Sequence, residues 1–220
     1  MVDGYFRIHT RDMMIDLYTW GTPNGHKIHI MLEETGLPAT IHRVDIGAGE
    51  QFKPDFLKIS PNNKIPAIVD SDGPDGKPIA IFESGAILIY LAEKTGMLLP
   101  KDSHDRHIAL QWLMFQVGGI GPMFGQCYHF RSSAPERITY AIDRYTNEVG
   151  RLAGVMEKRL SEVPFLAGEY SIADIANWPW VKGLTNFGFD FADFPAILRW
   201  KKAVYARPAV QRGLKLLDQA

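Results

Sequence analysis

Asn62-Asn63-Lys64-Ile65-Pro66-Ala67-Ile68-Val69 is answered fourteen residues later by Glu83-Ser84-Gly85, and these two stretches decide the fold. Pro66 follows a loop and opens a short apolar run that reads as a strand. A proline cannot donate to a sheet ladder, so it belongs at a strand's first position or at an edge. The backbone of Ile65 is thereby left unpaired, free to bind something peptide-like. Glu83-Ser84 falls between a second strand, Ile79-Ala80-Ile81-Phe82, and a helical run beginning near Gly85. A carboxylate beside a hydroxyl at a helix start can hold an amine and a carboxylate together, and the helix end itself favours anions. The two charged ends of an amino acid, joined to an extended backbone that pairs with Ile65, describe glutathione.

Upstream, Met14 to Tyr18 reads as a strand, and Thr22-Pro23-Asn24-Gly25 starts a helix with Thr22 as N-cap and Pro23 at the first helical position. Ile28, Met31, Leu32 and Thr35 recur at helical spacing until Gly36 stops the run. Thr40 to Val44 is a second strand, and a short helix covers Phe52, Phe56 and Ile59. Asp72-Gly73-Pro74-Asp75-Gly76 turns the Pro66 strand into the one ending at Phe82, and Ala86 to Lys94 is a buried helix. The order βαβα followed by ββα predicts a mixed sheet covered by helices over residues 14–95, after an extension of residues 1–13.

Strand signals vanish beyond a linker at residues 96–104. Asp105 to Val117 can be helical, and Gly118-Gly119-Ile120-Gly121-Pro122 is expected to bend or break it. Ile138, Ile142, Tyr145, Val149, Leu152 and Met156 mark one long amphipathic helix. Ser171-Ile172-Ala173-Asp174 is a capping box ahead of the apolar run Ile175 to Val181. Pro195 to Tyr205 and Val210 to Leu217 complete an all-helical domain over residues 105–220.

Composition narrows the classes. A formal net charge of −1 and a pI near 6.7 over 220 residues leave no basic footprint for nucleic acid. No apolar run reaches the roughly 18 residues that span a bilayer, and no signal peptide is visible, so a cytoplasmic protein is expected. The seven histidines show no metal spacing; His26 and His29 lack acidic or thiol companions, and no metal is expected. Tyr18, an alternative catalytic hydroxyl, sits on a strand and reads as a packed aromatic.

A small thioredoxin-like domain, Ile65-Pro66 after a loop, Phe82-Glu83-Ser84-Gly85-Ala86-Ile87 and the late capping box together resemble a cytosolic glutathione transferase from Met14 to Leu217. Thr22-Pro23-Asn24-Gly25, Ser60 through Pro66, and Gln111-Trp112 with Gly118-Gly119 and Gly121-Pro122-Met123 most resemble the bacterial nu class, which are glutathione-dependent disulfide-bond oxidoreductases. The resemblance implies a cis bond at Pro66 and main-chain pairing of Ile65 with the cysteinyl unit of glutathione. It implies that Glu83 and Ser84 hold the γ-glutamyl head, Gln51 the glycine end, and that Lys64 and Arg144 also contact the ligand. It places Thr22 and Asn24 at the sulfur, and it implies a homodimer.

The chemistry of the Thr22 turn fits that role. A free thiol titrates near ~8.5, and a helix N-terminus with local donors lowers it. The thiolate is the attacking species in thiol–disulfide exchange. Bound glutathione can attack a disulfide and a second glutathione can resolve the product, with no protein cysteine. Classes that conjugate often set a Tyr, Ser or Cys near this turn, where this chain has Thr and Asn. Conjugation of electrophiles, and binding without turnover, stand as the alternatives; the competing reading of Thr22 is a helix cap alone, and that of Asn24 a first-turn polar residue.

The one cysteine, Cys127, follows Gly121-Pro122-Met123-Phe124-Gly125-Gln126, far in sequence from Thr22. No second cysteine could resolve a mixed disulfide, and no Lys or Arg lies within three residues to favour a thiolate. Cys127→Ser is therefore expected to keep most glutathione-dependent reduction of a small disulfide. A variant that is folded, binds glutathione and is inactive would make the protein thiol the nucleophile.

Overall fold

The structure is a computed structural model, and it describes residues 15–218. The 1–13 extension and Met14 lie outside the described residues. Strand β1 (Ile15–Thr19) alternates, with Ile15, Leu17 and Thr19 buried on one face. Helix α1 (Pro23–Thr35) starts where Thr22 Oγ1 accepts from the Gly25 N–H at 3.1 Å. It stops at Gly36, whose φ of 68° is the left-handed conformation that glycine takes without a Cβ penalty. Strand β2 (Ala39–Arg43), helix α2 (Pro54–Ile59), strands β3 (Ala67–Asp70) and β4 (Ile79–Phe82), and helix α3 (Ser84–Thr95) follow.

The sheet order is β2-β1-β3-β4. β1 runs parallel to β2 and antiparallel to β3, with Leu17 opposite Ile68, and β3 pairs antiparallel with β4. This is the mixed sheet that the element order predicts. Helices α1 and α3 cover one face, burying Ile28, Met31, Ile87, Leu88 and Leu91 against Ile15, Leu17 and Ile68. On the other face a smaller cluster of Val44, Phe56 and Ala67 gathers Tyr18, Ile59 and Ile65.

The rest of the described chain is helical: α4 (Ser103–Phe115), α5 (Gly121–Tyr128), α6 (Thr139–Glu162), α7 (Ile172–Val181), α8 (Pro195–Tyr205) and α9 (Pro208–Leu214). Several boundaries move by a few residues, the last helix among them, which runs Pro208–Leu214 rather than Val210 to Leu217. Asp102 caps α4 by accepting from the His104 N–H at 2.9 Å, so this helix begins before Asp105. Ile138 is the N-cap residue of α6 and is 45% exposed, because the buried stripe of Ile142, Val149, Leu152 and Met156 starts only once the helix has begun.

The glycine stretch before Pro122 bends the chain without breaking it. Residues Gln116–Ile120 form a π-turn, and α5 continues directly from it with helical backbone at Gln116, Ile120 and Gly121. In a regular α-helix a proline ring collides with the carbonyl four residues back, and the wider π-turn opens that spacing.

The capping box forms as read, and Asp174 does more than cap. Its Oδ2 accepts from the Ser171 N–H at 3.0 Å. Its Oδ1 accepts from the Leu166 N–H at 3.0 Å and from the Trp200 indole of α8 at 2.8 Å. Helix α9 locks onto α1, where Arg207 bonds Glu34 with two contacts of 2.7 and 2.9 Å. Backbone meets backbone there: a Cβ on Gly213 would lie 2.9 Å from Ile30 N and Cα. No helix among the described residues is long and apolar enough to cross a membrane.

The buried interior of α1 carries an acid sensitivity. His29 is fully buried with Nε2 2.9 Å from Thr19 Oγ1, and burial, with His26 nearby, pushes its pKa down to about 3. An unfolded imidazole titrates near ~6.5, so below that pH the unfolded chain binds a proton that the fold refuses. The contribution of neutral His29 is thus full above that value and is lost as pH falls toward about 3. Near pH 5 the loss from this group should be roughly 2 kcal/mol. Urea unfolding at neutral pH and near pH 5 measures it, and His29→Gln, which offers Thr19 a polar partner without titrating, should shrink the difference. An equal pH response in both proteins would place the acid sensitivity elsewhere.

Candidate functional site

The site lies where β1 ends, α1 begins and β3 starts. The Ile65–Pro66 peptide is cis. Ser60, fully buried, donates its hydroxyl to the Lys64 carbonyl at 2.8 Å, and the Asn63 N–H bonds the Ser60 carbonyl at 2.9 Å. This tight loop delivers Ile65 to the head of the sheet. The ladder begins at Ala67, which pairs with Tyr18 and Phe82, so Ile65 stands outside it.

Glu83 occupies the N-cap position of α3 with a φ of 71°. A non-glycine residue held there carries conformational strain of about 1–3 kcal/mol. The Ile87 N–H bonds the Glu83 carbonyl at 2.9 Å, and Asn62 Nδ2 donates to the Glu83 carboxylate at 3.4 Å. Ser84 beside it accepts from Lys27 Nζ at 3.1 Å. Lys27 is 1% exposed, and its second bond, 2.6 Å to Gln116 Oε1, comes from the π-turn. Burial pushes the ammonium down to about 7, against the attraction of Glu83. Ile65, Pro66, Glu83, Ser84, Lys27 and Gln116 line a cavity of 300 Å³.

A larger cavity of 670 Å³ adjoins it, lined by Thr22, Gln51, Tyr128, Lys182 and Phe187 among others. Asn24, Lys64, Ile65 and Trp180 line both, so the two are chambers of one cleft. At their junction the first turn of α1 carries no acidic residue to oppose its positive end. Thr22 Oγ1 accepts from Gly25 and keeps its own hydroxyl hydrogen to donate. Trp180 on α7 sits with its indole Nε1 3.1 Å from Asn24 Oδ1. An indole nitrogen can only donate, which identifies the oxygen of Asn24 and leaves the amide NH₂ as its free donor. Gln51 donates Nε2 to the Ile46 carbonyl at 3.2 Å, while its buried Oε1 has no partner among the described residues.

Thr22, Asn24, Gln51, Lys64, Ile65, Pro66, Glu83 and Ser84 thus surround one cleft. Arg144 does not join them. It lines a separate hollow with Tyr145 and Glu148 of α6 and Met123 of α5. Tyr18 stacks on His42 at 4.6 Å and lines neither chamber. Cys127 is fully buried, with Sγ 3.6 Å from Thr146 Oγ1. Lys27, Gln116 and Trp180 are site residues that sequence reasoning missed. Lys27 left one trace: three residues after Asn24, it falls on the same face of α1.

Residues 22–94 match the family model for the glutathione S-transferase N-terminal domain, and residues 129–208 match that for the C-terminal domain. The disulfide-bond oxidoreductase YfcG of Escherichia coli K12 is 55% identical over 203 residues, covering 91% of this chain and 94% of that protein. A glutathione transferase from Burkholderia graminis, solved with two glutathione molecules per subunit, superposes with a TM-score of 0.91 at 48% identity, covering 97% of this chain and 92% of that one. A glutathione transferase from Pseudomonas putida, solved with one glutathione disulfide per subunit, gives a TM-score of 0.89 at 47% identity, covering 95% and 94%.

The backbone of Glu83 separates stability from binding. Glu83→Gly should melt higher than Glu83→Ala, by about 1 kcal/mol, because glycine adopts the φ of 71° freely. Thermal unfolding of the pair checks this. An alanine variant as stable as the glycine variant would mean that the conformation is unstrained.

Proposed function

The chain belongs to the glutathione S-transferase family, and on that premise we propose that it is a glutathione-dependent disulfide reductase whose redox thiol is that of bound glutathione. The observation that carries this reading is the placement of the Asn24 amide on the wall shared by two chambers, with the Thr22 hydroxyl beside it in the larger one at the α1 N-terminus. In this reading the smaller chamber takes the γ-glutamyl head, with Glu83 on the amine and Ser84 on the carboxylate. Ile65 pairs with the cysteinyl unit, and Gln51, which lines the larger chamber, holds the glycine end. The sulfur then lies at Thr22 and Asn24, whose donors stabilise a thiolate.

The thiolate attacks one sulfur of a disulfide in the larger chamber. The S–S bond breaks, a mixed disulfide forms with glutathione, and the departing thiolate leaves with the bond's electron pair and takes up a proton. A second glutathione thiolate attacks the glutathione sulfur of that intermediate. The second substrate thiol is released, and two glutathiones leave as glutathione disulfide. Small and glutathione-containing disulfides fit this scheme, in keeping with the relative named a disulfide-bond oxidoreductase and with the glutathione disulfide bound by the Pseudomonas putida enzyme.

Conjugation of electrophiles is the second reading, favoured by the apolar walls that Tyr128, Trp180 and Phe187 give the larger chamber. We further propose a cytoplasmic homodimer in which Arg144, remote from the cleft of its own chain, contacts ligand only in the assembly.

Parallel assays of disulfide reduction and of electrophile conjugation test the choice. Thr22→Ala and Asn24→Ala should lower kcat for reduction by about 10-fold or more while weakening glutathione binding far less, since thiolate stabilisation matters more to reaction than to docking. Trp180→Phe should produce part of the Asn24→Ala loss and add little to it in the double variant. Affinity that falls in step with rate would reduce these residues to ligand holders.

A further inference from the structure

Lys27 is a buried amine with no carboxylate in hydrogen-bond contact among the described residues; Glu83, the anion that attracts it, stands farther off. Its ammonium makes two hydrogen bonds, to the Ser84 hydroxyl at 3.1 Å and to the Gln116 side-chain Oε1 at 2.6 Å, and both partners are neutral. No ion pair to Lys27 forms among the described residues. As a staple between α1 and the π-turn this is a poor arrangement, because burying a charge without a counter-charge costs more than packing an apolar side chain of that length. The surroundings nonetheless hold it in place. Gly121 leaves room for the Gln116 side chain, since a Cβ there would lie 2.7 Å from Gln116 Nε2.

Two of the three ammonium N–H donors are used, which leaves one, and Lys27 is among the residues that line the smaller chamber. Ser84, accepting from Lys27, has its own hydroxyl hydrogen left to donate. A lysine and a serine thus present two donors side by side, opposite the carboxylate of Glu83 at the chamber's exposed rim. This rests on the reading that the chamber takes the γ-glutamyl head.

We infer that Lys27 is the cationic receptor for the α-carboxylate of that head, held in position by Gln116, and that it selects for ligands with an intact amino-acid terminus. Glu83 binds the amine and Lys27 neutralises the acid, so each end has its own counter-charge. Burial pushes the ammonium down to about 7, and a carboxylate beside it opposes that shift.

Calorimetry with three thiol peptides separates this role from a structural one: glutathione, γ-aminobutyryl-cysteinyl-glycine, which lacks only the α-carboxylate, and glutaryl-cysteinyl-glycine, which lacks only the amine. The wild-type protein should prefer glutathione to the decarboxylated peptide by ~10–150-fold, the range of a hydrogen bond to a charged group. In Lys27→Met that preference should collapse to within about threefold, while the deaminated peptide loses as much affinity as glutathione does. A Lys27→Met protein that weakens glutathione and the decarboxylated peptide equally would make Lys27 a staple and overturn the assignment, with the chamber's role intact. A wild-type protein that binds none of the three overturns the chamber's role as well. Should Lys27→Met fail to fold, wild-type protein with ¹³C-labelled lysine gives the answer. The Lys27 side-chain signal should move with glutathione and stay with the decarboxylated peptide, and an identical response to both refutes the role.

Discussion

Helix α1 must be buried along its length and open at its first turn, and most of the structure serves that constraint. Residues Gly25 and Lys27 to Leu32 are buried beneath α3, α7 and α9, while Thr22 and Asn24 stand at the cleft. A helix so enclosed cannot shift, so the donors at its start are preorganised, and preorganised donors stabilise a developing charge without reorganisation at the moment of reaction. The Arg207–Glu34 pair and the contact of Gly213 with the Ile30 backbone hold the helix from behind. Asn24 is held from the front by the Trp180 indole.

The same enclosure explains why strain and buried polarity collect here. Glu83 is kept at positive φ between a strand and a helix, and the Lys27 amine is kept in the interior. Neither feature helps the fold. Both become intelligible once a zwitterionic ligand end is placed between them, because each then meets the charge it lacks. Such sites draw on stability generated elsewhere, here in the Asp174 hub that joins α7 to Leu166 and Trp200.

Much of this was legible in the sequence wherever the signal is local. Thr22-Pro23 and Gly36 announce α1 because caps are satisfied by neighbours in the chain. Ser171 to Asp174 announce α7 for the same reason, and Pro66 marks the strand start because a missing N–H is a property of one residue. The thioredoxin-like and helical organisation follows from such marks in order. What stayed hidden depends on distant partners. Trp180 lies 156 positions from Asn24, and Gln116 lies 89 from Lys27. Gly118 to Pro122 signal a disturbance, yet the π-turn it becomes lies against α7 and α6, and a Cβ on Gly85 of α3 would lie 2.9 Å from Val117 Cγ2; these partners are distant in sequence. Ile138 misleads because the period of a stripe says nothing about where its helix begins.

The shared wall of the two chambers bears on how this protein can diverge. Asn24, Lys64, Ile65 and Trp180 each face both sides, so a substitution at any of them alters the thiol's surroundings together with the space for its target. Tyr128, Lys182, Asn186 and Phe187 face the larger chamber alone. A lineage exploring new disulfides is therefore free to drift at this second group, whereas any change in the first carries a penalty in the chemistry it was meant to redirect. Substrate range in such a protein evolves from the outer wall inward.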